Sequence, residues 1–406
     1  MNTKHISIFS LLLSSMLLWQ CEPNVDSFTP TSGEADFTKF IAIGDSYTAG
    51  YTDGALGQRG QMESFAYILS EQLAYVGSES FNQPLVESEG SVGTTVLAPN
   101  QNNGYFQLQI ANGDLSPVPT MGDMSIFTEQ VYSTENQNFG VPGAKAIHLG
   151  YGGYAQANPF FYRFASNLNT TVLTDALAAQ PTFISLWIGN NDALAYALAG
   201  GKEGNDAITD TDVFGAVYSQ IIQGLTANAK VVVGNIPNVD DIPFFNYILS
   251  DGHIPFVIED EGTIRQLQEG EKVLLTASTL LGMGYGQSLE MPLPGTYVLD
   301  AEELAEIDEA ITSYNTTIKS IADNNESIAL VDMNSLLKEL GKGLIIDGNV
   351  YSGEFVTGGI FSLDGIHVTG RGSAIIANTF IEAINKQFGA KIPMANINDY
   401  KTVEFP

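Results

Sequence analysis

The chain has 406 residues, of which 44% are apolar and 15% charged, a balance typical of a globular protein rather than of a disordered or coiled-coil chain. Sixteen Lys and Arg residues against 46 Asp and Glu residues give a formal charge of −30 at pH 7, which repels phosphate backbones, so we expect no nucleic-acid partner. A single cysteine excludes an intrachain disulfide and a thiolate zinc cluster. The four histidines lie far apart in the sequence, and although carboxylates could still bind a cation, we predict no metal and no cofactor.

The amino-terminal segment differs in character from the rest of the chain. Lys4 precedes an apolar stretch at residues 6–18, which has the form of the hydrophobic region of a secretion signal and is too short to span a bilayer comfortably. Cys21 follows this segment and resembles the lipidation site of bacterial lipoproteins, the alternative being a plain secretory signal that is cut nearby. We therefore predict a signal peptide at residues 1–20, lipidation of Cys21, a solvated tether at residues 21–36, and an exported cell-envelope lipoprotein of the outer membrane.

Short apolar runs alternate with helical patterns over the following residues. The runs that have the form of buried parallel strands are 40–43, 182–188, 230–233 and 328–331. The stretches with helical spacing are 64–76, 212–227, 301–322 and 371–388. This alternation predicts an α/β fold with a doubly wound parallel sheet, in which ligands bind at the carboxyl ends of the strands.

Two stretches do not follow the alternation. Residues 77–137 are rich in Gly, Asn, Ser and Pro, and residues 240–294 mix Pro and Gly with aromatic runs such as Phe244-Phe245. We predict that both are insertions over the active face of a single domain at residues 37–390, which a tail at 391–406 follows. The aromatic side chains could line an acyl groove, but we expect most of them to be core.

Four short motifs carry residues suited to acyl-transfer chemistry. Ser46 in G-D-S follows a strand and precedes a turn, which exposes its hydroxyl as a nucleophile, although a lone serine there is also a common cap. His367 in D-G-I-H has Asp364 three residues ahead, an offset at which the carboxylate can bind one ring nitrogen and leave the other as a base. The side chain of Asn191 in G-N-N-D and the backbone N–H of Gly143 in N-F-G-V-P-G can donate to an oxyanion, although singly they are only a helix cap and a turn.

Taken in chain order, these motifs resemble the four blocks of the SGNH hydrolases, which are also called GDSL hydrolases. The resemblance covers residues 37 to 388 apart from the two insertions. It implies a flavodoxin-like three-layer α/β/α sandwich and serine ester hydrolysis. The residues to which it assigns nucleophile, orienting acid and general base are Ser46, Asp364 and His367. The residues to which it assigns the oxyanion hole are Ser46, Gly143 and Asn191.

The motifs therefore predict a serine carboxylester hydrolase, an esterase or lipase that acts through an acyl-serine intermediate and is tethered to the membrane by its lipid. A deacetylase acting on acetylated polysaccharide is the alternative within the same class, because the same residues serve both substrates. A non-catalytic surface lipoprotein that binds glycans or lipids is the alternative from another class. The chain contains no G-x-S-x-G elbow and no G-x-x-x-x-G-K loop, which argues against the common α/β-hydrolase layout and against phosphate binding.

Overall fold

A five-stranded parallel sheet forms the centre of the computed structural model. Its strands are β1 (Phe40–Gly44), β2 (Asn138–Gly140), β3 (Phe183–Trp187), β4 (Lys230–Gly234) and β5 (Ile328–Val331). Their order is β2-β1-β3-β4-β5, so the chain reverses its direction of travel across the sheet after β2. This flavodoxin-like order places a ligand crevice at the carboxyl ends of β1 and its neighbours, and it confirms the predicted fold class.

The structure describes residues 28–86, 93–95, 98–111, 114–123, 128–250, 257–346 and 348–406. The predicted signal peptide, Cys21 and short parts of both predicted insertions lie outside these residues. Thr31–Pro406 form one compact unit. Within the described ranges, no helix is both long enough and apolar enough to cross a membrane.

Helices connect and cover the strands. They are α1 (Ser46–Ala49), α2 (Gln58–Met62), α3 (Phe65–Leu73), α4 (Tyr154–Ala157), α5 (Pro159–Tyr162), α6 (Val172–Ala178), α7 (Asn190–Leu198), α8 (Thr211–Leu225), α9 (Pro243–Ser250), α10 (Ser278–Gly282), α11 (Ala301–Asp323), α12 (Met333–Lys342) and α13 (Gly370–Phe388). The four predicted helices are α3, α8, α11 and α13, and local signals fix their starts. At α11, for example, Asp300 and Glu303 form a capping box in which each side chain binds the other's backbone N–H.

The helices form a layer on each face of the sheet. On one face α3 and α13 pack together, and the ring of Phe65 lies 5.5 Å from that of Trp187 in β3 and 4.9 Å from that of Phe380. Because crossovers between parallel strands are right-handed, the reversal of direction after β2 places α7, α8 and α11 on the opposite face. There the stacked rings of Phe214 and Tyr314 join α8 to α11.

Helix α1 packs so closely on the sheet that two positions require glycine. A Cβ atom at Gly44 would lie 2.2 Å from Thr48 Oγ1, and one at Gly140 would lie 2.2 Å from Ala49 N. The glycine of the G-D-S motif therefore allows the turn with Ser46 to lie directly against β1 and β2.

Both insertion regions contain regular structure. The first contains an antiparallel sheet formed by Gly93–Thr95, Ala98–Ala111 and Asp114–Met121. The second contains α9, α10 and a sheet formed by Val257–Asp260, Thr263–Gln266 and Leu293–Pro294. Further short pairs are Lys272–Val273 with Val298–Leu299 and Leu344–Ile346 with Asn349–Tyr351. Phe244 and Phe245 are fully buried, as expected of core residues.

Candidate active site

Ser46 is the first residue of α1, immediately after β1. The sequence indicated a turn after this serine, whereas the chain forms one helical turn because Asp45 caps it, its Oδ1 accepting from Tyr47 N at 3.1 Å. The other Asp45 oxygen accepts from Asn190 Nδ2 at 2.8 Å, and burial raises the pKa of this carboxyl to about 6. At the start of a helix the backbone N–H has no intrahelical acceptor, and the N–H of Ser46 finds none elsewhere among the described residues.

Residues that are far apart in the sequence meet at this serine. His367 Nε2 lies 2.8 Å from Ser46 Oγ, although the two residues are 321 positions apart. His367 Nδ1 lies 2.9 Å from Asp364 Oδ2. All three groups are largely shielded from solvent, with Ser46 9% exposed and the side chains of His367 and Asp364 12% and 6% exposed. Hydrogen bonds thus connect the hydroxyl of Ser46 to the imidazole of His367 and the imidazole to the carboxylate of Asp364.

Backbone donors surround the carboxylate of Asp364. Its Oδ1 accepts from the N–H groups of Ile366 and His367 at 2.9 and 2.8 Å, and its Oδ2 accepts from Gly54 N at 2.8 Å. Burial alone would raise the pKa of Asp364, but the charge and hydrogen bond of His367, together with these N–H groups, outweigh it and lower the pKa to about 2. Asp364 is therefore ionised at neutral pH and can stabilise a positive imidazole.

The two remaining motifs contact each other, at the carboxyl ends of β2 and β3. Gly143 lies in the turn after β2 with φ +78°, and its backbone N–H has no acceptor among the described residues. Asn191 is the second residue of α7, and its Nδ2 donates to Ala144 O at 3.0 Å. An amide nitrogen carries two hydrogens, so one N–H ties Asn191 to the Gly143 turn and the other remains available to an oxyanion.

Sequence reasoning did not identify the side chains that hold this turn. Asn158 Nδ2 donates to Pro142 O at 2.9 Å, and Asp192 Oδ2 accepts from Ala146 N at 2.8 Å. Burial raises the pKa of Asp192 to about 6. Only the position of Asp192 beside Asn191 could have suggested its role, since no pattern marks Asn158.

Two tyrosines beside His367 were also missed. The rings of Tyr47 and Tyr51 have their centroids 5.3 and 4.7 Å from that of the imidazole. The hydroxyl of Tyr47 donates to Ile366 O at 2.8 Å, which fastens the histidine loop to α1. Tyr51 also contacts the ring of Phe160 edge-on, with centroids 6.3 Å apart. Their proximity to Ser46 in the sequence was the only available signal.

A serine bonded to an imidazole that a buried carboxylate orients, at the carboxyl edge of a flavodoxin-like sheet, defines a serine hydrolase. The profile of the family described as GDSL-like Lipase/Acylhydrolase matches residues 40–380, which is most of the chain. The chain belongs to this family and is an ester-hydrolysing enzyme, which confirms the resemblance and the predicted reaction class.

Several solved structures are similar to this chain at low sequence identity. A family 3 carbohydrate esterase of Clostridium thermocellum is 14% identical with a TM-score of 0.36, and the match covers 87% of this chain and 100% of that chain. A catalytic mutant of an acetylxylan esterase from Geobacillus stearothermophilus is 14% identical with a TM-score of 0.37, covering 86% and 95%. An α/β hydrolase from the metagenome of Lake Arreo, Spain, is 12% identical with a TM-score of 0.40, covering 86% and 96%. No curated protein matches the chain.

Proposed function

We propose that Ser46, His367 and Asp364 hydrolyse carboxylic esters through an acyl-serine intermediate. The observation that carries the proposal is the continuous contact from Ser46 Oγ to His367 Nε2 at 2.8 Å and from His367 Nδ1 to Asp364 Oδ2 at 2.9 Å. His367 takes the hydroxyl proton as Ser46 attacks the ester carbonyl, and Asp364 stabilises the imidazolium that forms. The same imidazolium then protonates the leaving alkoxide.

The tetrahedral oxyanion is bound by three donors in this proposal. They are the backbone N–H groups of Ser46 and Gly143 and the free N–H of the Asn191 side chain, none of which has another acceptor among the described residues. Donors that are already oriented cost no reorganisation during the reaction. Water then attacks the acyl-serine with His367 as general base, which releases the acid and restores the serine.

Replacing the nucleophile tests this proposal. Ser46→Ala should abolish turnover of p-nitrophenyl acetate, because no hydroxyl remains to form the acyl intermediate. Ser219→Ala is a matched control, since Ser219 is an exposed residue of α8 whose hydroxyl bonds to Gly215 O within the same helix. Wild-type turnover in purified, folded Ser46→Ala would refute the mechanism.

The surroundings of Ser46 favour a small acyl group, as in the deacetylase alternative. Ser46 is 9% exposed, and the aromatic rings of Tyr51 and Phe160 contact each other close to His367. A series of p-nitrophenyl esters from acetate to decanoate separates the two candidates. A sharp preference for acetate supports action on acetylated polysaccharide, and acetylated xylan is then the substrate to assay, whereas a preference for long chains supports a lipase.

We also propose that the enzyme is exported and anchored to the outer membrane through a lipid on Cys21. The support is the order of Lys4, the apolar residues 6–18 and the only cysteine of the chain. Mass spectrometry of the mature amino terminus should find a diacylglyceryl adduct on Cys21, and Cys21→Ser should move the enzyme out of the membrane fraction. An unmodified Cys21, or a mature chain that begins elsewhere, would contradict the anchor.

A further inference from the structure

Asp53 lies beside the loop that carries Asp364 and binds the two residues that precede it. The backbone N–H of Asp53 donates to Ser362 Oγ at 3.0 Å. One oxygen of its side chain, Oδ1, accepts from Leu363 N at 2.9 Å. Asp53 therefore holds this part of the loop with both its backbone and its carboxylate.

Ser362 and Gly54 connect the turn at Asp53 to the two carboxylate oxygens of Asp364. Ser362 Oγ, which accepts from Asp53 N, donates in turn to Asp364 Oδ1 at 3.1 Å. The next residue of the turn, Gly54, donates its backbone N–H to Asp364 Oδ2 at 2.8 Å. The position of the Asp364 carboxylate therefore depends on where the turn at Asp53 lies.

The backbone of Asp53 adopts a conformation that favours glycine. Its φ is +47°, in the left-handed region, which few side chains other than those of Asn and Asp adopt readily. Glycine would adopt this conformation with less strain, but it would provide neither the acceptor for Leu363 N nor a charge. Aspartate therefore combines tolerance of this backbone conformation with the acceptor that Leu363 N uses.

Arg59 and two residues of the first insertion region form a second set of contacts around Asp53. Asp53 Oδ2 forms an ion pair with Arg59 Nη2 at 2.5 Å, and the Arg59 guanidinium lies 4.1 Å from the ring centroid of Tyr105. Phe106 N donates to Asp53 O at 2.8 Å. Tyr105 and Phe106 belong to the strand Ala98–Ala111, so the inserted sheet contacts the turn through the Phe106 N–H and contacts the ion pair through the Tyr105 ring.

We propose that Asp53 is a positioning residue for the Asp364–His367 pair. Asp53 acts through Ser362, Leu363 and Gly54, and within the described part of the chain no hydrogen bond or ion pair joins it to Ser46 or His367. This inference rests on the proposed function, because it assumes that Asp364 orients His367 during turnover.

Two substitutions of Asp53 separate its side chain from its backbone. Asp53→Gly keeps the left-handed turn but removes the acceptor for Leu363 and the partner of Arg59. We expect kcat for p-nitrophenyl acetate to fall about 10- to 100-fold with KM within about twofold, because a small displacement of a catalytic group lowers the rate without affecting binding. Asp53→Asn keeps an acceptor oxygen and tolerates the left-handed conformation, so it should restore kcat to within about threefold of wild type.

The control is Asp260→Asn, a part-exposed aspartate that pairs with Arg265 in the second insertion region and should leave kcat and KM unchanged. If Asp53→Gly does not fold, Ser362→Ala takes its place, and it should lower kcat about 10-fold with KM unchanged. A kcat within threefold of wild type in folded Asp53→Gly, or in Ser362→Ala where the first variant is unfolded, overturns the proposal, as does a loss that lies entirely in KM. Turnover by Ser46→Ala would instead refute the proposed function, whereas an inactive Ser46→Ala beside a fully active Asp53→Gly refutes only the positioning role.

Discussion

Asp364→Asn provides a sharp test of the orienting role of the carboxylate, because it changes one atom and keeps the shape of the side chain. Wild-type Oδ2 accepts from His367 Nδ1 and Gly54 N, while Oδ1 accepts from the N–H groups of Ile366 and His367. An asparagine has one acceptor oxygen, so in either orientation its NH2 group faces donors. If the NH2 faces His367 Nδ1, the imidazole must place its proton on Nε2, where it can no longer accept the proton of Ser46.

The pKa of Asp364 indicates the order of magnitude of the effect. It is lowered to about 2 from its usual value of 3.8, which corresponds to a net stabilisation of the ionised carboxylate by roughly 2 to 3 kcal/mol after the burial penalty is overcome. A loss of this size in the transition state lowers the rate about 10²-fold, and the wrong tautomer extends the expected loss of kcat to about 10³- to 10⁴-fold.

The assay is the steady-state hydrolysis of p-nitrophenyl acetate at neutral pH, with kcat and KM determined separately. KM should change little, since Asp364 does not face the substrate in the proposed mechanism. Asp210→Asn is the control, because Asp210 caps α8 at the surface and asparagine caps equally well. A kcat for Asp364→Asn within tenfold of wild type would refute the reasoning.

Three further outcomes are expected. Asn191→Ala removes one oxyanion donor and should lower kcat about 10²- to 10³-fold, and a loss of less than threefold in the same assay would exclude that role. Tyr47→Phe leaves the buried Ile366 carbonyl without its 2.8 Å hydrogen bond and should lower the free energy of unfolding by about 1 to 3 kcal/mol in urea titrations, whereas an unchanged midpoint would show that this bond is dispensable. The pKa of Asp45 and of Asp192 is raised to about 6 by burial, so the stability linked to these groups is complete below about pH 4 and is lost as the pH rises through 6. The free energy of unfolding should therefore be about 1 kcal/mol larger per carboxyl at pH 5 than at pH 8, and greater stability at pH 8 would contradict this.

Four of the five strands of the central sheet were predictable from the sequence, and β2 was not. The apolar runs at β1, β3, β4 and β5 are buried on both faces of a parallel sheet, and such strands read as continuous hydrophobic segments. Strand β2 has only three residues and begins with Asn138, so its sequence indicated a turn. It forms because it pairs with β1, Ala42 opposite Asn138, and a contact between segments this far apart is not encoded in the local pattern.

The inserted sheet was missed for a different reason. Residues 98–121 contain Asn, Gly and two prolines in the return strand, a composition typical of loops. The strands Ala98–Ala111 and Asp114–Met121 nevertheless pair as an antiparallel hairpin, since adjacent segments can satisfy each other's backbone hydrogen bonds without a regular apolar alternation. The sequence therefore predicted an insertion at this position but none of its strands.

Some residues of the candidate site were also predictable from the sequence, and others were not. Ser46, His367 and Asp364 could be selected because their chemistry and local spacing are distinctive. The bonds from Asp53 to Leu363 and from Gly54 to Asp364 each join residues 310 positions apart, and no local pattern signals them. Residues that do chemistry were thus visible in the sequence, whereas residues that hold them in place became visible only in the folded chain.

The central claim is that Ser46 is the nucleophile and that His367 activates it. Covalent labelling tests this claim most directly. A fluorophosphonate probe should modify one residue, Ser46, as located by mass spectrometry of the digested enzyme. Labelling should be lost in Ser46→Ala and slowed by at least about 10³-fold in His367→Ala, because the base is then absent. Labelling of a different residue, or labelling of Ser46 at an undiminished rate without His367, would contradict the account.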